Sequence, residues 1–247
     1  MAVFTEESAR ANVRVRDGRR VFYLDPRDHL TPAAREWLRR DGVEILPAAE
    51  AKVNRYTTLT GAVYEEKPEE MTHLKSDVLV DKTHPRIAFR GAVDVLEAEI
   101  LLAAHLAVQE QEKRLAQDLA EILALVRRLI RCDVLDEPVG NFTLCGLTEG
   151  ELRRRSHLPQ QYYDQPHFMP EPTDSRMLLK LNRTRTMARQ AELSACRAFR
   201  DGEGRCTRRD IICALNRVSS TLYLLMIQRK KEEAHGSASG SPHANAF

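Results

Sequence analysis

Residues 177–199, MLLKLNRTRTMARQAELSACRAF, and residues 207–228, TRRDIICALNRVSSTLYLLMIQ, decide the fold. In the first stretch Arg185, Arg189 and Glu192 recur at i, i+4 and i+7, which places them along one stripe of a helix. A small or apolar stripe of Leu181, Ala188, Ala191 and Ala195 runs beside them. In the second, Ile211, Leu215, Val218, Leu222 and Leu225 form a core seam, and Asn216, Ser219, Ser220 and Tyr223 lie off it. Two facing helices with a cationic stripe beside an Asn/Ser stripe would make an anion site inside a bundle. The spacing also suits, and on its own favours, an ordinary amphipathic helix whose surface Glu–Arg pair contributes about 0.3–0.5 kcal/mol.

Upstream, Pro85 opens a helix whose apolar residues Ile87, Ala88, Val93, Leu96, Ile100, Leu101 and Ala104 keep a 3.6 period. His105 on this apolar helix reads as a packed core residue. The polar patch Gln109–Arg114 marks a turn, and a second helix runs through Leu115, Leu119, Ile122, Val126, Leu129 and Ile130. Between Cys132 and Thr173 five prolines break the chain, with one short helix announced by the capping box Thr148/Glu151. A loop this long in a helical domain is more often functional than idle, and Phe142, Tyr162, Tyr163 and Phe168 collect in it. The remaining long helices are expected to start near Thr173/Asp174 and at Thr207, the latter with Asp210 completing a capping box.

The N-terminal part reads differently. Val13, Val15, Val21 and Tyr23 alternate with polar residues around Asp17-Gly18, a hairpin signal. Thr31-Pro32 would cap and open a helix closed by Gly42, and Val43–Leu46 would return as a strand. The expected organisation is a disordered segment 1–12, a small β-hairpin/helix module 13–48, a linker 49–70, a helical domain 71–233 and a disordered Gly/Ser-rich tail 234–247. The expected fold class is all-α, a four- to five-helix bundle with a small N-terminal α+β module.

Composition excludes several functions. A net charge of +2 over 247 residues argues against a nucleic-acid surface. No run approaches the roughly 18–20 uninterrupted apolar residues of a membrane helix, and residues 1–20 lack the apolar segment of a signal peptide. Five scattered cysteines without CxxC fit a reduced, cytoplasmic protein. Neither GxGxxG nor GxxxxGK[ST] occurs, and no HExxH. Lys75, Lys82 and Arg86, spaced before a helix N-terminus, would suit a polyphosphate, although a solvated loop accounts for the same spacing.

Taken together, MTHLKSDVLVDKTHPRIAFRGAVD (71–94), RTMARQAEL (185–193) and ALNRVSSTLYLLM (214–226) resemble the corrinoid adenosyltransferases, in particular their ethanolamine-utilization (EutT-type) branch. The loop DVLDEPVGNFTLCGLTEGELRRRSHLP (133–159) and LTPAAREWL (30–38) also look like that branch. The PduO-type branch is similar in its R-x-x-x-R-x-x-E and LNRLSD helices. The resemblance covers most of residues 13–230. It implies transfer of the 5′-deoxyadenosyl group of ATP to cob(I)alamin, giving adenosylcobalamin and triphosphate, with Mg²⁺ accompanying ATP.

The resemblance implies roles residue by residue. Arg189 and Glu192 would be catalytic, Arg189 on the phosphates and Glu192 on Mg²⁺ or the sugar. Thr72, His73, Lys75, Lys82, Arg185, Gln190 and Asn216 would complete the ATP contacts. Arg185 would also pair with Asp94, within or between chains. Gln190 stands where the PduO-type branch has a second arginine, Ser220 replaces the LNRLSD aspartate, and THLKSD is not glycine-rich. Phe142 and Phe168 are the candidates to cover the lower face of cobalt. Some relatives carry an H-x₁₁-C-C-x-x-C metal motif; the linker here, NRYTTLTGAVYEEKPEE (54–70), has no Cys or His, so no protein-bound transition metal is expected. Further implications are a homo-oligomer, dimer or trimer, and a cytoplasmic site inside or attached to a microcompartment. A non-catalytic or weakly catalytic cobalamin-binding or delivery protein is the alternative. The two differ in whether Lys82, Arg189, Glu192 and Asn216 converge.

Overall fold

The computed structural model describes residues 1–51 and 55–239 and divides into two compact units, Met1–His84 and Pro85 onward. The first unit corrects the all-α expectation. It carries β1 (Val3–Phe4), α1 (Glu6–Ala11), β2 (Arg14–Arg16), β3 (Arg19–Leu24), β4 (His29–Leu30), α2 (Pro32–Arg40), β5 (Glu44–Pro47), β6 (Tyr56–Thr58), β7 (Val63–Tyr64), β8 (Met71–Lys75) and β9 (Val78–Asp81). Among the described residues seven of these strands form one mixed sheet, ordered β5-β3-β2-β7-β6-β9-β8. The chain is therefore an α/β protein and not an all-α one.

Local chemistry accounts for the parts that were legible. Arg16 pairs with Arg19 across Asp17 and Gly18, both at positive φ (50° and 73°), so the Asp-Gly pair makes the expected two-residue hairpin. Thr31 Oγ1 accepts from Ala34 N, Pro32 opens α2, and Gly42 follows at φ 64°. Ala9, Phe22, Ala34, Trp37, Leu38 and Val43 then form a small core.

A hairpin, one helix and one return strand leave open strand edges with unpaired backbone groups. The protein fills one edge with segments read as linker and as helical domain. β7 joins β2 in parallel, β6 joins β7, β9 joins β6 in parallel and β8 closes the order. Residues 49–70 thus contain two strands, and 71–81 is a hairpin, not the start of the bundle. Its turn at Ser76 (φ 46°) has no glycine to announce it. Residues 1–12, expected to be disordered, hold β1 and α1, with Thr5 accepting from Ser8 N.

The second unit contains α3 (Pro85–Gln109), α4 (Lys113–Leu135), β10 (Thr143–Leu144), β11 (Leu147–Thr148), α5 (Glu149–His157), α6 (Pro159–Tyr163), α7 (Arg176–Ala198) and α8 (Arg209–Ser239). The expected tail lies outside the described residues from 240 on, and 234–239 continue α8. Phe89, Val93, Leu96 and Ile100 of α3 pack with Leu119, Ile122, Val126 and Leu129 of α4, Leu181, Ala188 and Ala191 of α7, and Ile211, Leu215, Val218 and Leu222 of α8. The stretch Arg209–Ala234 is long and apolar enough to cross a bilayer by length and composition. Its buried residues are the bundle's own core, the place of any apolar core helix. His105 is exposed, not packed in the core: the turns around it also leave Leu101, Leu102 and Val108 in solvent.

A buried carboxylate fixes one end of the bundle. Asp133 of α4 is fully buried and accepts from Arg86 Nε at 2.9 Å and Arg90 Nε at 2.7 Å, both on α3. Asp133→Asn should lower stability by about 3–5 kcal/mol, because it removes the buried carboxylate that Arg86 and Arg90 share. Denaturant unfolding of both proteins checks this, and a loss under 1 kcal/mol would refute the anchor.

Candidate active site

Two clamps set the helices that carry the predicted residues. Glu99, buried on α3, accepts from Lys180 Nζ at 2.7 Å and Arg183 Nε at 2.9 Å, which ties α7 to α3. Ser175, and not Thr173 or Asp174, caps α7 by accepting from Leu178 N. At the start of α8, Arg208 donates to Cys132 O at 2.9 Å and Glu137 O at 2.7 Å, and Asp210 accepts from Val139 N. The expected Thr207/Asp210 capping box does not form, since the Thr207 hydroxyl donates instead to Phe199 O. The Thr148/Glu151 box does form.

On these helices the small residues predicted at Ala188, Ala191 and Ala195 are fully buried, so α7 and α8 pack closely. The polar stripes meet beside them. Asn216 Nδ2 donates to Glu192 Oε1 at 2.8 Å, the one direct bond from α8 to the predicted α7 stripe among the described residues. Arg217 donates to Asn216 Oδ1, which fixes the amide's orientation. Arg185 donates to Asn182 Oδ1 at 3.2 Å and lies over the Tyr223 ring at 5.7 Å. Its Nε is buried without a hydrogen-bond partner. Burial, then the like charge of Arg189, holds the Arg185 guanidinium below its ordinary pKa. Arg189 and Gln190 are exposed.

No ion pair joins Asp94 to Arg185 within the chain among the described residues; Asp94 is exposed on α3. Phe168 stacks on Tyr223 at 6.3 Å, and His167 Nδ1 lies 2.9 Å from the Tyr223 hydroxyl. Phe142 sits elsewhere, against the core near α4 and Thr143. The structure therefore separates the two phenylalanines and brings Phe168 to the Tyr223 ring that Arg185 also faces. Tyr223 is the residue that sequence reasoning undervalued: it was placed off the core seam, yet it is the platform for Arg185, His167 and Phe168. Arg217 was also missed. It adds a guanidinium beside Glu192, although burial and then the positive charge of Arg153 lower its pKa.

In the first unit Thr72, His73 and Lys75 lie on β8, the outer strand of the sheet, with His73 edge-on to Tyr56. Lys82 follows β9 and donates to Glu69 Oε1 at 3.1 Å. Arg189, Glu192 and Asn216 thus gather on adjoining helices of the second unit, while Lys82 has an acidic partner in the first.

A family model described as cobalamin adenosyltransferase matches residues 62–229. This chain belongs to that family. Among cobalamin adenosyltransferases, the corrinoid adenosyltransferase EutT of Escherichia coli (strain K12) is 32% identical over 246 residues, covering 90% of each chain. The protein of that name from Salmonella typhimurium is 38% identical over 161 residues, 65% of this chain and 59% of that one. A variant PduO-type ATP:co(I)rrinoid adenosyltransferase from Lactobacillus reuteri, complexed with ATP, superposes with a TM-score of 0.53 at 19% identity, covering 67% of this chain and 92% of that one. A second variant, complexed with cobalamin and ATP, gives 0.50 at 18% identity over 67% and 89%. At such identities the superpositions show a shared fold.

The Glu99 clamp yields a pH test. Hydrogen bonds from Lys180, opposed by burial and aided by Arg183, lower the Glu99 pKa from 4.5. A depressed carboxylate contributes stability above its unfolded pKa and loses it as pH falls through the folded value. Glu99→Gln should therefore be less stable than wild type at pH 7, and the gap should shrink below about pH 4.5. Thermal unfolding from pH 7 to pH 3 measures it, and a constant gap would contradict the clamp.

Proposed function

We propose that this chain transfers the 5′-deoxyadenosyl group of ATP to cob(I)alamin, releasing triphosphate. The observation that carries the reading is the cationic patch of α7 and α8, where Arg185 keeps a buried, unpartnered Nε beside Arg189 and the Glu192–Asn216 pair. Cob(I)alamin is itself a strong nucleophile, so no side chain need activate it. The protein's task is to align cobalt with C5′ and to stabilise the departing triphosphate.

The residues divide that work. Arg189, exposed and next to Arg185, meets the phosphates as negative charge develops on them. Glu192 supplies a carboxylate for Mg²⁺ or the ribose hydroxyls. Its bond from Asn216 aims it, and Asn216 turns with it toward the nucleotide. Gln190 borders the same stripe. The half-buried carboxylate of Glu192 would hold the Mg²⁺ accompanying ATP, a hard cation that would offset phosphate charge. On the first unit Thr72, His73, Lys75 and Lys82 are assigned nucleotide contacts from the sequence resemblance alone. Phe168, stacked on Tyr223, is the better candidate to cover cobalt, and Phe142 is not next to this patch. The Asp94–Arg185 ion pair is assigned between copies of the chain in a homo-oligomer. The cellular setting is cytoplasmic ethanolamine utilization, with attachment to a microcompartment. The cysteine-free linker supports turnover without the transition metal of the H-x₁₁-C-C-x-x-C motif.

Anaerobic cob(I)alamin, Mg²⁺–ATP and chelator-treated protein, followed by the visible spectrum, test the whole reading. Adenosylcobalamin should form, and Arg189→Ala should slow it by about 100-fold or more, the size of losing one donor to developing charge. Unchanged turnover in Arg189→Ala would remove its phosphate role. Cobalamin bound without product would favour the binding or delivery protein.

A further inference from the structure

Away from α7, the second unit holds two carboxylates and a thiol that the proposed reaction does not use. Asp118 and Glu121 stand at i and i+3 on α4, so both project from one face. Cys145 is brought to them by the β10–β11 hairpin. The ligand atoms of all three lie within 4.8 Å of one another. Cys145 N donates to Glu121 Oε2 at 2.9 Å, which fixes the hairpin tip against the helix.

Three features make this more than a surface acid cluster. The donors are mixed, two carboxylates and a thiol, on two elements joined by the bond from Cys145 N to the Glu121 carboxylate. Asp118 is buried and hydrogen-bonded to Cys145, while its ion-pair partner Arg114, at 3.6 Å, belongs to a side chain that is 86% exposed. The other arginine beside the site, Arg155, is engaged with Glu151. Asp118 and Cys145 also line a cavity of about 140 Å³ with Tyr163, Thr221 and Gln228, room enough for a water or small ligand in a remaining coordination position. Without a cation, burial and then the two neighbouring carboxylates push the Cys145 thiol up to about 12.

We propose that Asp118, Glu121 and Cys145 bind one divalent cation of the zinc class, in a three-ligand site with an open fourth position facing the cavity. Bonds of about 2.0 Å to carboxylate and about 2.3 Å to thiolate place tetrahedral ligands about 3.3–3.5 Å apart. Magnesium and calcium fit poorly, since both favour all-oxygen shells of six or more ligands. On binding, the thiol proton passes to solvent, and a metal–sulfur bond replaces the S–H bond with no change of oxidation state. The site is structural. It fastens the β10–β11 hairpin to α4, and it shares no residue with the Arg185–Glu192 patch.

The test is Co²⁺ titration of the chelator-stripped full-length protein. One Co²⁺ per chain should bind with a near-ultraviolet thiolate-to-cobalt charge-transfer band and be displaced by Zn²⁺. Cys145→Ser should lose the band. Glu121→Gln, an exposed and structurally mild change, should keep the band but weaken Co²⁺ affinity by about tenfold or more. Absence of a band in the wild type, a band retained in Cys145→Ser, or unaltered affinity in Glu121→Gln would each overturn the site. Adenosylation measured alongside distinguishes this result from failure of the proposed activity, because Glu121→Gln should turn over as wild type does.

Discussion

The second unit depends on carboxylates buried among arginines. Asp133 has no solvent access and is held by Arg86 and Arg90, so the start of α3 and the end of α4 are fixed as a pair. A lone charge there would be costly. With two guanidinium partners and good geometry, the cost becomes a constraint on where the helices sit. One residue earlier, Cys132 O accepts from Arg208, whose partner Asp210 in turn holds Val139 N. The same small network therefore sets the first turn of α8 and the entry to the irregular loop. Asn216 lies two turns further along α8, so its meeting with Glu192 rests on this anchor.

On α7 the same physics is used in the opposite sense. Glu99 is answered by Lys180 and Arg183, but the next arginines along the helix are not answered by any carboxylate of comparable geometry among the described residues. Arg185 keeps an unsatisfied Nε in a half-buried position, beside the Asn182 amide, the Tyr223 ring and the like charge of Arg189. Buried donors are seldom left without acceptors. An anionic ligand carrying several phosphate oxygens, such as the nucleotide of the proposed reaction, would supply them.

The helical half was legible because its signals are periodic and local. Ile211, Leu215, Val218 and Leu222 repeat at 3.6 residues, and each is fully buried. The Asp17-Gly18 turn and the Thr148/Glu151 capping box likewise need only neighbouring residues to form. The seven-stranded sheet was not legible. β6 and β7 are three and two residues long, too short to show an alternation, and they pair with strands far away in sequence. The hairpin of β8 and β9 turns at Ser76 without a glycine, so nothing local separates it from a loop leading into a helix.

By itself the sequence determined the helices, their buried faces, the Asp-Gly hairpin and the shared stripe of Arg185, Arg189 and Glu192, because spacing along a helix or strand dictates which side chains share a face. Only the tertiary structure decided the rest. It completed the sheet, joined Glu192 to Asn216, left Asp94 apart from Arg185 within the chain, and chose Phe168 over Phe142 as the neighbour of Tyr223. It also brought Cys145 to Asp118 and Glu121. Each of these is a contact between elements distant in sequence, and such contacts are set by the packing of whole faces and the pairing of buried charges, which no local spacing encodes.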